Sequence, residues 1–237
     1  MNYGTVSITG KVRDKNEDNY LALDKGRLHV IAVADGMGGH KAGDVASSTA
    51  IKVVKNYDFS PHELISDVEE CINIVNNKIL EKSSNHPEYR GMGTTLTLGI
   101  IKNNHLVLGH IGDSRAYLYH NDFLEQITDD HSYVADLLKQ GAITKEEAEN
   151  HPKKNLLLRA LGLERGVEVD IIEHDLAAED VILLCSDGLT NMKSDEQIQS
   201  VLSSEELKLQ EQAELLSDKA NAAGGYDNIT AVLYQNT

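Results

Sequence analysis

Acidic residues recur where apolar, strand-like runs stop. "VIAVADG" ends at Asp35-Gly36 and "VILLCSDG" at Asp187-Gly188. "VLGHIGDSR" carries Asp113 where one such run yields to the next, and "GGYDNITAV" carries Asp227 at the entry to the last. "RDKNEDNY" adds Glu17 and Asp18 just ahead of an early run. A single Asp-Gly pair is ordinarily a turn. Two apolar runs entering Asp-Gly far apart in sequence favour a second use, in which a rigid sheet aims several carboxylates. Gathered carboxylates repel, by roughly 4 kcal/mol for a pair about 4 Å apart at an effective dielectric of 20. A cation would offset that. The chain has no Cys or His cluster with zinc spacing, so the donors are hard oxygens suited to Mg²⁺ or Mn²⁺. Gly36, lacking a side chain, would let its carbonyl approach such an ion.

The elements that must hold these residues follow from periodicity. Residues 3–10 alternate weakly, and 20–23 with 28–35 read as two strands joined at Asp24-Lys25-Gly26. Ala42, Val45, Ala46, Thr49, Ala50, Val53 and Val54 recur at helical spacing, which predicts an amphipathic helix over 42–57. A second helix is expected to open at Ser60-Pro61, with Leu64, Val68, Ile72, Val75 and Ile79 on one face. "TTLTLGII", "HLVLGHI", "RAYLYH" and "FLEQI" then read as an antiparallel meander. Residues 131–163 are irregular, polar and partly helical, as in a surface insertion. "VEVDIIEH" and "DVILLCSDG" resume strand character, 206–223 forms a last helix stopped at Gly224-Gly225, and "NITAVLYQ" closes the chain. Strands, paired helices and more strands do not alternate as a parallel α/β fold requires. Stacked sheets with helices outside fit better, an α+β arrangement.

Composition narrows the function. With 38 Asp plus Glu against 22 Lys plus Arg the formal charge is −16, which disfavours nucleic acid and anionic membrane as partners. Apolar runs reach neither signal-peptide nor membrane-spanning character, so the expectation is a cytoplasmic protein without membrane insertion. Cys71 and Cys185 both lie in apolar patterns, as buried free thiols do. One domain over 1–237 is expected, since no linker divides the chain.

The residues "RDKNEDN", "VADGMGGH", "GMGTTLT", "GHIGDSRAYL", "DHS", "LLRALG", "LLCSDGL" and "DNITAVL" occur in the order found in type 2C metal-dependent protein phosphatases. The resemblance is closest to compact bacterial members and runs from Thr5 to Leu233. It implies a central antiparallel β-sandwich flanked by helices on both sides, four layers in all, with 131–163 as the variable flap. It implies hydrolysis of phosphoserine and phosphothreonine on proteins by a metal-activated water, without a phosphoenzyme. Two ions, Mn²⁺ or Mg²⁺, would be held by Asp35, Gly36 through its carbonyl, Asp187 and Asp227, with Asp35 bridging. Glu17 and Asp18 would act through water. Asp113 with Asp187 would form a third site, and Arg13 would hold the substrate phosphate. A cognate serine/threonine kinase would supply the phosphoprotein substrates, and a monomer is expected.

One departure concerns proton donation. Eukaryotic members have D-G-H, whereas here Met37 takes the third place and His40 lies three residues on. His40 could donate the proton as general acid or merely hydrogen-bond beside the turn, the second being the reading favoured here, and a metal-bound water could be the acid instead. Arg159 is read as a surface charge and Thr94 as structural. Neither cysteine is followed six residues later by Arg, and no D-x-D occurs, so cysteine-dependent and aspartyl-phosphate routes lack their residues. A serine hydrolase is prompted only by Gly112-Asp113-Ser114-Arg115-Ala116, which lacks the final Gly of G-x-S-x-G. A binding or sensor module on the same fold, catalytically weak or inactive, is the other alternative. Retention of Asp35, Asp187 and Asp227 speaks against it.

Overall fold

Two sheets, each buried on both faces, account for strands that read as nearly continuous apolar runs. The computed structural model describes residues 2–38 and 42–237. Its strands are β1 (Tyr3–Ile8), β2 (Asn19–Lys25), β3 (Leu28–Ala34), β4 (Gly36–Met37), β5 (Gly93–Thr94), β6 (Leu96–Lys102), β7 (His105–Ile111), β8 (Arg115–His120), β9 (Phe123–Gln126), β10 (Asp170–Asp175), β11 (Val181–Cys185) and β12 (Ile229–Gln235). The helices are α1 (Gly43–Asn56), α2 (Leu64–Asn85), α3 (Tyr133–Lys139), α4 (Lys145–Glu149), α5 (Asp187–Thr190), α6 (Asp195–Leu202) and α7 (Leu209–Ala222). One antiparallel sheet has the order β1-β12-β11-β8-β9 and the other β10-β7-β6-β3-β2, while β4 and β5 form a small ladder beside them.

Side-chain parity separates the layers. On β3, Ile31 and Val33 face the opposite sheet, packing with Leu108, Ile182, Leu184 and Val232. Val30, Ala32 and Ala34 face outward onto α1 and α2. On β12, Ala231 and Leu233 face α6 and α7. The expected four layers, helix, sheet, sheet, helix, are therefore present. Each fully buried Leu, Ile or Val contributes about 1.5–3 kcal/mol, so three clusters give the sandwich ample apolar burial.

Two expectations need correction, and one element is new. Helix α2 begins at Leu64 rather than at Ser60-Pro61, with Glu63 at its N-cap. The Ser60 amide is instead held by Asp67, so Pro61 lies in a turn before the helix. The four strand pieces after Gly93 are not one meander: β6 and β7 pair in one sheet, β8 and β9 in the other. The chain changes sheets at Gly112, Asp113 and Ser114. A short β4–β5 ladder, pairing Gly36 with Thr94 and Met37 with Gly93, was not foreseen. Both cysteines are free and buried, as expected.

Candidate metal and phosphate site

Strand register brings the acidic corners to one end of the sandwich. Asn19 pairs with Ala34, so Asp18, just before β2, meets Asp35, just after β3. Leu96 pairs with Ile111, which places the sheet change at Asp113 at the same end. Cys185 pairs with both Ala231 and Arg115, so Asp187 lies beside the entry to β12, where Asp227 stands. Parity carries Asp35 to the face shared with Ile31 and Val33, between the sheets.

The backbone around each acid is pinned. The Asp35 amide donates to Thr95 Oγ1 at 2.9 Å, and its carbonyl accepts from Thr95 N at 2.9 Å and Thr94 Oγ1 at 2.8 Å. Thr94 is thus structural, as the sequence suggested. Ser186 Oγ donates to Asp18 Oδ2 at 2.7 Å, while Asn191 Nδ2 donates to Asp187 Oδ2 at 3.0 Å. Asn228 ties the N-terminal loop to β12: its Oδ1 accepts from Glu17 N at 2.8 Å, and its Nδ2 donates to Thr9 O at 3.0 Å and Lys15 O at 2.8 Å. Arg13 Nη2 donates to Asp227 Oδ2 at 2.7 Å. Close backbone approach requires Gly36: a Cβ there would lie 2.2 Å from the Gly43 carbonyl and 2.5 Å from the Glu17 carbonyl.

The electrostatics are unfavourable without a counter-charge. Burial, then repulsion from Asp18, Asp187, Asp113 and Asp227, pushes the Asp35 carboxyl far above the usual carboxylate range. Burial raises Asp18 to about 7, against hydrogen bonds from Thr230 and Ser186, with Asp187 and Asp227 adding repulsion. Asp113 rises to about 8 through burial, then Asp187 and Asp130. Asp187 rises to about 6 through burial, then Asp227. Glu17 is raised by burial and by Asp44, partly offset by Arg13. The Asp35 and Asp187 carboxyls act directly on one another. Two carboxylates tolerate that only with a proton or a cation between them.

Orphaned oxygens test whether a divalent ion fits. Among the described residues, Asp18 Oδ1, Asp187 Oδ1 and Asp44 Oδ1 are buried with no hydrogen-bond partner. Such oxygens cost free energy unless something satisfies them. Within the same residues, no group of three His, Cys, Asp or Glu side chains is drawn tightly enough to form a metal cage by itself. The carboxylates are gathered without being closed, which suits hard ions that complete their shells with water and backbone carbonyl. The donor set fits Mg²⁺ or Mn²⁺.

Sequence reasoning missed several residues. Asp44, in the first turn of α1, faces Glu17. Ser186 and Asn191 hold two of the acids, and Asn228 anchors the loop of Arg13; each is a polar neighbour of an acidic corner, the one signal the sequence offered. Arg159 is not a free surface charge: its Nη1 donates to Asp170 Oδ1 at 2.6 Å, and its side chain is 36% exposed. Asp170 Oδ2 also accepts from His131 Nε2 at 3.0 Å, and His131 Nδ1 accepts from the Gly112 amide at 3.2 Å. His131, at the start of the 131–163 segment, is therefore linked to the residue before Asp113. Met37 lies in β4 against Gly93. His40 falls outside the described residues.

Comparison with known proteins agrees with this architecture. The family model described as protein phosphatase 2C matches residues 11–217. The serine/threonine phosphatase stp of Listeria innocua is 42% identical over 233 residues, 95% of this chain and 92% of the relative. The crystal structure of the Mycobacterium tuberculosis serine/threonine phosphatase PstP/Ppp superposes with a TM-score of 0.91 at 40% identity, covering 99% of this chain and 97% of that one. The catalytic domain of PstP in complex with two manganese ions gives a TM-score of 0.89 at 39% identity, covering 98% and 96%. The chain belongs to the protein phosphatase 2C family of metal-dependent serine/threonine phosphatases.

Proposed function

We propose that the chain removes phosphate from phosphoserine and phosphothreonine of proteins at the acidic end of the sandwich. The observation that carries this reading is the set of mutually repelling carboxylates of Asp18, which is buried, and Asp35, Asp187 and Asp113, which are half-buried, with unpartnered oxygens on Asp18 and Asp187. Asp35, the Gly36 carbonyl, Asp187 and Asp227 would hold two ions, Mn²⁺ or Mg²⁺. Asp113 and Asp187 would hold a third, and Glu17 and Asp18 would act through water. When bound, such ions supply Lewis acidity and lower the pKa of nearby water.

The chain's own residues do the rest. The Arg13 guanidinium is half exposed and spends one N–H on Asp227, leaving further donors of its planar fork for phosphoryl oxygens. Thr94 and Thr95 fix the Asp35 backbone so that its carboxyl does not rearrange on binding. Water as the nucleophile agrees with the thiols: burial pushes Cys71 and Cys185 up to about 12, so neither offers a thiolate. His40 remains the candidate proton donor to the leaving alkoxide.

In this reading 1–237 form one phosphatase domain with a flap at 131–163. The protein works as a monomer in the cytoplasm against the products of a serine/threonine kinase; no described helix is long and apolar enough to cross a membrane. The test is hydrolysis of a phosphothreonine peptide with Mn²⁺ or Mg²⁺ and with chelator. We expect turnover with either ion and loss with chelator, and a decrease of at least about a hundredfold in Asp187→Asn. Metal-replete protein without turnover would leave the fold as a binding or sensor module.

A further inference from the structure

Two loops meet at the rim of the site in a fixed register. The Lys11 amide donates to the Gly225 carbonyl at 2.8 Å, and Arg13 Nη2 donates to Asp227 Oδ2 at 2.7 Å. Val12 and Tyr226 lie between these two ties, one on each loop. The contact is tight: a Cβ at Gly10, whose φ is +78°, would lie 2.3 Å from the Asp227 carbonyl. Both side chains are nonetheless exposed, Val12 at 60% and Tyr226 at 62%. A lone exposed apolar side chain is ordinary. Two on loops tied together on either side of them, one adjacent in sequence to the arginine that would hold phosphate, offer an apolar rim.

The Tyr226 ring folds back over its own loop: a Cβ at Gly224 would lie 2.8 Å from Tyr226 Cε2. The surrounding charge also differs from that of the molecule. Residues 11–15, Lys-Val-Arg-Asp-Lys, carry three cations and one acid in a chain of net charge −16. All five are exposed. That combination suits an anionic phosphoresidue followed or preceded by an apolar one, because adjacent residues of an extended peptide are only about 3.3–3.6 Å apart along the chain.

We infer that Val12 and Tyr226 set substrate preference by taking the aliphatic or aromatic side chain directly next to the phosphorylated residue. This rests on the phosphatase reading with Arg13 at the phosphate. Neither residue belongs to the catalytic machinery; they act on peptide binding and hence on KM.

The test compares phosphothreonine peptides with Leu or Phe beside the phosphothreonine, on either side in turn, with a peptide carrying Gly at both places. Wild-type protein is expected to show kcat/KM about tenfold higher for an apolar neighbour, mainly through KM, the size usual for a modest apolar contact. The double substitution Val12→Ser, Tyr226→Ser should remove the preference while leaving the Gly-flanked peptide unchanged. Tyr226→Phe alone should keep it. Equal kcat/KM for all peptides in wild type overturns the inference, and so does a preference that survives the double substitution. An equal loss on the Gly-flanked peptide would place the two residues in the catalytic machinery and also overturn it. Hydrolysis of none of the peptides would instead remove the phosphatase reading, and this inference with it.

Discussion

His110 is fully buried on β7, with Nε2 donating to the Asp129 carbonyl at 3.1 Å and Nδ1 accepting from Thr97 Oγ1 at 3.0 Å. Its ring packs against His131 with centroids 4.8 Å apart. Burial, then repulsion from His131, lowers its pKa to about 3, against about 6.5 in an unfolded chain. Between those values the unfolded chain binds a proton that the native protein refuses. The contribution of His110 to stability therefore rises with pH across this window and is lost as pH falls below about 6.5, at up to about 1.4 kcal/mol per pH unit, opposite in sign to the contribution of the raised carboxyls of Asp18, Asp35, Asp113 and Asp187. His110→Gln is expected to remove this rising contribution, so that the slope of thermal midpoint against pH between about 4 and 6 becomes more negative than in wild type; an unchanged slope would show that His110 does not contribute to it. At this scale the sequence exposed Asp35, Asp187 and Asp227, because the first two end an apolar run and the third stands at the entry to one. It could not expose the role of His110, because "HLVLGHI" places the imidazole in a strand whose partners come from Thr97 and Asp129.

At the scale of elements, alternation and spacing located most strands and the helices α1, α2 and α7, yet not which sheet each strand joins. "HLVLGHI" and "RAYLYH" look alike, and only the positive φ of +113° at Gly112 marks where the chain crosses between sheets. Likewise β4 and β5 are two residues each, too short for any period to register. Contacts between distant elements depend on residues that look ordinary in sequence, and Asn228 is one. Its side chain satisfies Thr9 O, Lys15 O and Glu17 N at once, binding the loop that carries Arg13 to the head of β12. Asn228→Ala leaves three backbone groups without those partners and should cost about 2 kcal/mol. It should also release the loop, so trypsin should cut after Lys11, Arg13 or Lys15 markedly faster under native conditions. If melting and cleavage both match wild type, the loop is held by its other contacts. Gly188 shows the same closeness: a Cβ there would lie 1.9 Å from the Asn228 carbonyl.

For the whole molecule, charge and fold pull in opposite directions. A sandwich closed by apolar clusters on three levels brings its acidic corners to one end, while the chain as a whole carries −16. Folding therefore concentrates negative charge that the unfolded chain spreads out, and that cost is set by the same carboxylates proposed to hold ions. Ions that bind the folded chain and not the unfolded one should stabilise it by about 2.7 kcal/mol at a hundredfold excess over Kd. For a domain of this size that corresponds to a rise in Tm of about 5–10 °C. Millimolar Mn²⁺ added to chelator-treated protein should produce this shift, whereas NaCl of equal ionic strength should not, because screening acts weakly on buried groups. Asp35→Asn, Asp187→Asn together should raise the Tm of ion-free protein by removing repulsion and should abolish most of the Mn²⁺-dependent gain. A full Mn²⁺ shift in that double variant would place the stabilising ions elsewhere on the acidic surface.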